Sequence, residues 1–245
     1  MNIGRGHIKK LETVDWWDEY FLPDGGWEKN QGRLQTTVFA KSFVRYAKLD
    51  RDKPFSLLDV GCALGDAIRV FHGNYPLAKL YGIDISKTAI SRCKSELGHI
   101  AFFEVKSIEE IDQFYDIIYI SAVLEHFTDY AEKARHLIEH CKQLFIFVPY
   151  LEVRGGKPLE PNSQEHHQHT FDQRSFDFLI EENLALSIKT KNIRCPRAWS
   201  WTLEKWIKES LIKNPIRFIL KKPLAFNPRM ILFDIHSTKY FIPDK

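Results

Sequence analysis

The sequence LLDVGCALGD, residues 57–66, predicts a buried strand, a glycine turn and the beginning of a helix in direct succession. The apolar strand ends at Val60, and Gly61 and Gly65 then allow a tight backbone and a close ligand approach that a Cβ would block. The carboxylate of Asp59 lies just before the turn, where it suits a cationic amino-acid ligand better than a pyrophosphate. We therefore expect a ligand site at the end of this strand.

Short apolar segments on both sides of this strand predict an α/β fold. They are nearly continuous rather than alternating, which is typical of parallel strands buried on both faces. Amphipathic segments lie between them at 65–74, 86–97 and 129–142, with Ser86 as the expected N-cap of the second. We expect a doubly wound, mostly parallel seven-stranded sheet with right-handed crossovers. The predicted strands are FSLLDV (55–60), KLYGID (79–84), IAFFEV (100–105), YDIIYIS (115–121) and QLFIFVP (143–149), with a terminal antiparallel pair at 184–191 and 230–237.

Two appendages are expected around this sheet. Residues 1–50 are predicted to form an N-terminal helical lid that excludes water from the ligand site. Residues 51–245 are predicted to form a Rossmann-like domain, with 195–228 as a C-terminal helical insertion that caps the substrate side. Helices are expected at 11–21, 32–49 and 172–183; the candidate lid contacts are Trp27, Gln31, Arg33 and Gln35, whereas Trp16, Trp17 and Tyr20 are expected to pack a helix on the core.

Composition and charge exclude several classes of protein. With 44% hydrophobic and 27% charged residues the chain is ordinary globular, and it has no run of the ~18–20 apolar residues that a membrane span needs. Its four cysteines form no CxxC pair, which indicates a reducing cytoplasm. The net charge of +3 is too small to indicate nucleic-acid binding, yet 189–222 hold ten Lys or Arg against two Glu. We interpret this segment first as a substrate-side cap, then as an anion-recognition surface, and last as an interfacial helix for peripheral membrane contact.

The glycine turn belongs to an ordered set of motifs. Asp59-x-Gly61-x-Ala63-x-Gly65, followed by Asp84, resembles the first two motifs of class I S-adenosylmethionine-dependent methyltransferases, with alanine in place of the family's middle glycine. The resemblance continues through 114–118, 123–127 and 147–149. It implies that the glycine turn holds the methionine part of S-adenosyl-L-methionine and that a carboxylate on the second strand binds the ribose hydroxyls. The implied cofactor contacts are Asp59, Gly61, Ala63, Gly65, Asp84, Ile85, Ser107, Ile108 and Ser121.

One position departs from the family pattern. The family often has an acidic residue after the third strand for the adenine amino group, whereas this chain has Lys106 there. We therefore expect adenine to be bound through the backbone and Ser107. The alternatives are a nicotinamide-binding Rossmann protein and an α/β fold that has lost its ligand, but five motifs in one order favour the methyltransferase.

The acceptor is expected beyond the fourth and fifth strands, because open α/β sheets bind ligands at the carboxyl ends of their strands. The segments that follow these strands, 122–127 and 165–172, are rich in histidine. His126, His167 and His169 are the candidate catalytic residues, because an imidazole removes the proton of an acceptor hydroxyl. Carboxylate and imidazole groups also bind divalent metals.

The same two segments resemble the metal site of small-RNA 3′-terminal 2′-O-methyltransferases. That family combines Glu-x-x-Glu-His with a later His-x-Phe-Glu, whereas Ala122 here replaces its first glutamate, a loss that His167 or Glu165 would fill. A metal-free histidine base and a purely structural polar loop are the alternatives. The metal ligands that the resemblance implies are Glu125, His126 and His169.

Together these patterns predict a cytoplasmic S-adenosylmethionine-dependent O-methyltransferase. We expect its acceptor to be a small polar molecule that is anionic or contains a sugar. The alternatives are an enzyme similar to the RNA 2′-O-methyltransferases and an inactive cofactor-binding partner protein. The oligomeric state stays open.

Overall fold

A computed structural model describes residues 13–151, 153–154, 157–158, 167–194, 207, 211–212, 214–219 and 229–239. Three helices precede the sheet, namely α1 (Val14–Tyr20), α2 (Gly26–Lys29) and α3 (Gly32–Ala47). The alternating part consists of β1 (Ser56–Val60), α4 (Asp66–Asn74), β2 (Lys79–Asp84), α5 (Lys87–Leu97), β3 (Phe102–Val105), β4 (Tyr115–Ser121), α6 (Tyr130–Glu139) and β5 (Cys141–Pro149). The described C-terminal elements are β6 (Val153–Arg154), β7 (Lys157–Pro158), α7 (Phe178–Glu181), β8 (Ala185–Arg194), α8 (Asn214–Ile219) and β9 (Arg229–Ser237).

The main sheet has seven strands in the order β3-β2-β1-β4-β5-β9-β8. The first five are parallel, whereas β9 is antiparallel to both β5 and β8. The predicted seven-stranded, mostly parallel α/β sheet is therefore confirmed, including the terminal antiparallel pair. Its strand order reverses between β1 and β4, and a crevice for a ligand forms at such a switch point.

Both faces of the sheet are buried, as the continuous apolar strands predict. On one face, α3, α4 and α5 pack against the strands through a cluster that includes Phe43, Phe71 and Tyr119. On the other face, α6 and α7 cover a second cluster around Ile118, Ile146 and Phe233. Parallel strands place both sets of side chains in the core, so neither face has a polar alternation.

The prediction of a helix at 172–183 is wrong for its first half, residues 172–177. The backbone N–H of Arg174 donates to the Asp172 carboxylate at 2.9 Å, and the N–H of Asp172 donates to Ser175 Oγ at 2.9 Å. These side chains satisfy backbone groups locally and favour a turn over a helix. Only α7 remains helical.

The structure describes most of the N-terminal appendage but little of the C-terminal insertion. Helices at 14–20 and 32–47 agree with the helices predicted at 11–21 and 32–49, whereas residues 1–12 lie outside the described part. Most of the predicted insertion at 195–228 also lies outside it. In the part of the chain that the structure describes, no helix combines the length and apolarity that crossing a membrane requires.

Candidate functional site

The turn between β1 and α4 has left-handed backbone at three positions. Gly61, Ala63 and Gly65 have φ values of 68°, 49° and 72°. A Cβ on Gly61 would lie 2.4 Å from Cγ2 of Val123, so this glycine lets the turn touch the segment that follows β4. A Cβ on Gly65 would lie 2.5 Å from Cδ1 of Leu97, so that glycine serves close packing on α5.

The carboxylate of Asp84 ends β2 and fastens the glycine turn. Its Oδ2 accepts the N–H of Ala63 at 3.0 Å, and its Oδ1 accepts the N–H of Ser86 at 2.9 Å. Burial raises the pKa of Asp84 from 3.8 to about 6, although the N–H groups of Ser86, Ala63 and Ile85 favour the charged form. Each oxygen has a second lone pair, so this carboxylate can still accept hydrogen bonds from a ligand's hydroxyl groups.

The carboxylates of Asp84 and Asp66 both lie close to that of Asp59. Burial, reinforced by the charges of Asp84 and Asp66, raises the pKa of Asp59 well above its ordinary value. Its Oδ2 is buried and has no hydrogen-bond partner among the residues that the structure describes. Asp66 differs because its Oδ1 pairs with Nη1 of Arg33 at 3.1 Å. A cationic group of a ligand at Asp59 would stabilise this acidic cluster.

The end of β3 lies beside the Asp84 backbone. The N–H of Lys106 donates to the Asp84 carbonyl at 3.1 Å, but its ammonium turns to Asp112 at 2.8 Å. Ser107 begins the 3-10 turn Ile108–Glu110, in which Ile108 is buried. The Lys106 side chain is thus paired with Asp112, while its backbone N–H is the group of this segment that bonds to the end of β2.

The segment after β4 carries the predicted acceptor side. Ser121 ends the strand, and Ala122 adopts a φ of 54° before the 3-10 turn Leu124–His126. Glu125 in this turn is buried, whereas His126 is half-buried. Because Val123 touches the glycine turn, this 3-10 turn adjoins the acidic cluster of Asp59, Asp66 and Asp84.

The histidine-rich loop is held against this turn by its backbone. The N–H of Gln168 donates to the Glu125 carbonyl at 2.7 Å. The ring centroids of His126 and His167 lie 5.2 Å apart, with the rings nearly perpendicular. Donor atoms of Glu125, His126 and His167 all lie within 4.8 Å of one another. We call these three residues the acceptor-side cluster.

His169 does not join the acceptor-side cluster. One of its ring nitrogens, Nε2, lies 3.1 Å from the Thr128 carbonyl, and its ring packs on Tyr130 with centroids 4.7 Å apart. The geometry therefore does not support the resemblance to the metal site of small-RNA 2′-O-methyltransferases, in which His169 was the third ligand. His167 occupies that place, while Glu165 and His166 lie outside the described residues.

Helix α1 lies over the site through contacts that the sequence did not predict. Asp18 Oδ1 accepts the Ser86 hydroxyl at 2.6 Å and the Thr88 N–H at 2.9 Å, at the beginning of α5. Trp17 contacts the His126 ring edge-on, with centroids 5.7 Å apart, so it does more than pack a helix on the core. No local signal identifies these pairs, because their partners are 68 or more residues away in the chain.

Among the candidate lid contacts, Arg33 and Trp27 have defined partners. Arg33 Nη2 pairs with Glu28 at 3.3 Å in addition to its contact with Asp66. The Trp27 ring packs on Phe21 with centroids 5.1 Å apart. Arg33 thus joins the N-terminal helices to Asp66 at the beginning of α4, and Trp27 also packs against the apolar cluster that contains Ala63 of the glycine turn.

Comparisons with known proteins agree with this geometry. A family model described as a methyltransferase domain matches residues 29–183. Trans-aconitate 2-methyltransferase of Escherichia coli O1:K1 / APEC is 30% identical over 93 residues, which are 38% of this chain and 37% of that protein. The chain thus spans little more than a third of the length of the curated relatives it matches.

Two solved structures have the same fold over most of their length. The plantazolicin methyltransferase BpumL, in complex with a monoazolic desmethylPZN analog and S-adenosylhomocysteine, is 18% identical with a TM-score of 0.56 and covers 93% of this chain and 98% of its own. Magnesium protoporphyrin IX methyltransferase from Synechocystis PCC 6803, with bound S-adenosylmethionine, is 15% identical with a TM-score of 0.57 and covers 93% of both chains.

Proposed function

The chain belongs to the methyltransferase domain family, and on that premise we propose that it transfers a methyl group from S-adenosylmethionine to an oxygen atom of a small polar acceptor. The family model covers more than half of the chain, and the fold is that of S-adenosylmethionine-dependent methyltransferases. The resemblance stated from the sequence is confirmed at this level. The class of acceptor molecule, its oxygen atom as the methylated atom, and the roles of individual residues are what we propose.

The observation that carries the proposal is the contact between the glycine turn and the segment after β4. At Gly61 there is no room for a Cβ beside Val123, and the acceptor-side cluster begins two residues later. A ligand on the turn and an acceptor at the cluster would therefore be neighbours. Methyl transfer depends on such an arrangement, because holding donor and nucleophile together supplies most of the rate enhancement.

The residues of the turn fit the cofactor. We assign the ribose hydroxyls to the Asp84 carboxylate and the methionine part to the backbone around Gly61. The buried Oδ2 of Asp59 is suited to the α-ammonium group. When bound, the cofactor supplies a methyl group on a positively charged sulfur.

The acceptor-side cluster has the chemistry that an oxygen acceptor needs. A hydroxyl becomes a good nucleophile when a neighbouring group takes its proton or stabilises its anion. His126 and His167 present ring nitrogens for this purpose, and buried Glu125 orients them electrostatically. Trp17 shields His126 from one side and helps to exclude water. His169 acts as a positioning residue for the loop through its contact with Thr128.

A small anionic acceptor is favoured over a macromolecule. One relative is named for trans-aconitate, a small polyanion. The sequence of 189–222 holds ten Lys or Arg against two Glu, a charge that suits an anionic acceptor, and most of this segment lies outside the described residues. Buried thiols at Cys62, Cys93 and Cys141 suit a reducing cytoplasm as the place of reaction.

The test is methyl transfer from radiolabelled S-adenosylmethionine to fractionated small-molecule extract, RNA and no acceptor. We expect a labelled small product, with alkali-stable label for an ether and alkali-labile label for an ester. His126→Asn and His167→Asn should lower kcat by at least tenfold with little change in the Kd of S-adenosylhomocysteine, and His136→Asn on α6 is the matched control. Label in RNA that declines with salt would support the RNA alternative. Cofactor binding without transfer in any fraction would refute the enzyme proposal.

A further inference from the structure

We propose that Glu125, His126 and His167 bind one divalent transition-metal ion on the acceptor side of the site. The proposal rests on the proposed function and extends it, since the ion would stabilise the acceptor's oxygen anion in place of a ring nitrogen, and the proton of the acceptor hydroxyl would pass to solvent water.

The donor set selects the class of ion. Two imidazole nitrogens and one carboxylate oxygen suit first-row divalent ions such as Zn²⁺, Fe²⁺ or Mn²⁺ better than Mg²⁺ or Ca²⁺, which prefer oxygen ligands. Three protein ligands also leave coordination positions for an acceptor oxygen. A cluster of this composition can therefore bind an ion and an oxygen acceptor together.

The distances allow a common ion after small side-chain movements. The three donor atoms lie within 4.8 Å of one another. Donors bound at about 2.1 Å in a tetrahedral site are about 3.4 Å apart, so the donors must converge by up to about 1.4 Å. Because His126 and His167 are half-buried, rotation of their rings can provide this movement.

Backbone contacts hold the two contributing segments in register. The N–H of Gln168, next to His167, donates to the Glu125 carbonyl at 2.7 Å. This hydrogen bond links the 3-10 turn that carries Glu125 and His126 to the loop that carries His167. The loop is fixed again farther along, where the Leu151 N–H donates to the Phe171 carbonyl at 2.8 Å. Ligand sites depend on such support, because it sets the orientation of the donors.

Glu125 supplies the one carboxylate of this cluster, and it is only 1% exposed. Removing an ionised carboxylate from water is costly, and a divalent ion held by Glu125 and the two imidazoles would offset part of that cost. It would also give the acceptor side a net positive charge, which matches an anionic acceptor.

The test measures bound ion in the full chain, purified without a histidine tag. Chelator-treated protein is titrated with Zn²⁺ by calorimetry, and Co²⁺ absorption reports nitrogen and oxygen ligation. We expect one ion per chain and a Kd at least about 100-fold higher for His126→Asn, His167→Asn and Glu125→Gln, since even outer partners change affinity by 10- to 100-fold. Affinity for S-adenosylhomocysteine in the same variants shows that they are folded.

Two matched variants separate this site from other histidines. His72→Asn alters an exposed histidine on α4, and His136→Asn alters a histidine on α6. Both should bind Zn²⁺ as the unaltered chain does. Absence of stoichiometric binding to the unaltered chain, or unchanged affinity in the three ligand variants, overturns the proposal. Bound ion without methyl transfer would refute only the proposed function, and methyl transfer by protein that binds no ion would refute only this inference.

Discussion

Asp84 should give the protein a pH dependence in which cofactor affinity and fold stability change in opposite directions. Burial raises the pKa of this carboxyl from 3.8 to about 6. A carboxylate accepts hydrogen bonds from ribose hydroxyls strongly only when ionised. Affinity should therefore rise as pH increases through about 6. Adenosine is the best probe, because it has the ribose and lacks the amino acid that would interact with Asp59.

The magnitudes follow from the pKa. At pH 5 about one Asp84 in ten is ionised, so the Kd for adenosine should be up to about tenfold higher than at pH 7. For stability the sign is reversed. The folded chain binds the Asp84 proton more tightly than the unfolded chain does, so the free energy of unfolding falls as pH rises from about 4 to about 6. A difference of about two pKa units corresponds to roughly 3 kcal/mol.

The assay combines calorimetry with adenosine and urea unfolding between pH 4.5 and 8. Asp84→Asn should bind adenosine weakly at every pH and lose the affinity transition near pH 6. Asp116→Asn is the matched control, because Asp116 lies near the N-terminal end of β4, away from the carboxyl ends of the strands where Asp84 lies. Burial raises its pKa, but hydrogen bonds from Lys142 and Ser56 lower it overall. That variant should keep the adenosine transition. A Kd that does not change between pH 5 and 7 in the unaltered chain would refute the role of Asp84.

Two further predictions concern the turn and the lid. Gly61→Ala should destabilise the fold by at least about 1–2 kcal/mol in urea unfolding and abolish S-adenosylhomocysteine binding. The reason is that position 61 has a φ of 68° and that an added Cβ would lie 2.4 Å from Val123. Gly73→Ala is the control: a Cβ there meets nothing within 4 Å, so this variant should be neutral or more stable by up to about 1 kcal/mol. Asp18→Ala should lower the free energy of unfolding by about 1 kcal/mol, because it removes the hydrogen bonds from Ser86 and Thr88 at the beginning of α5. It should also change Trp17 fluorescence, and unchanged emission would show that Asp18 does not hold α1 over the site.

The central fold was predictable because its signals are local. Strand burial, the Ser86 cap and the glycine turn are each determined by neighbouring residues, and the structure has Ser86 Oγ accepting the Ala89 N–H at 3.1 Å. The helix expected at 172–183 failed for an equally local reason. Asp172 and Ser175 bond to nearby backbone groups, and apolar spacing alone did not reveal this competition.

The site was predictable only in part, because its chemistry depends on distant contacts. The spacing of Asp84 from the glycine turn directly predicts a protein carboxylate that binds a ligand beside the turn. In contrast, a sequence with histidines at 166, 167 and 169 does not show which ring faces Glu125. That choice is made by the hydrogen bond from Gln168 to the Glu125 backbone, a tertiary contact between two loops.

The acidic surroundings of the glycine turn bear on turnover as well as on binding. Asp59 and Asp84 would face a donor whose sulfur is a cation, and that charge disappears when the methyl group departs. The spent cofactor then loses a Coulombic attraction that the fresh cofactor has. Product inhibition should therefore be weaker than the shared contacts alone would give.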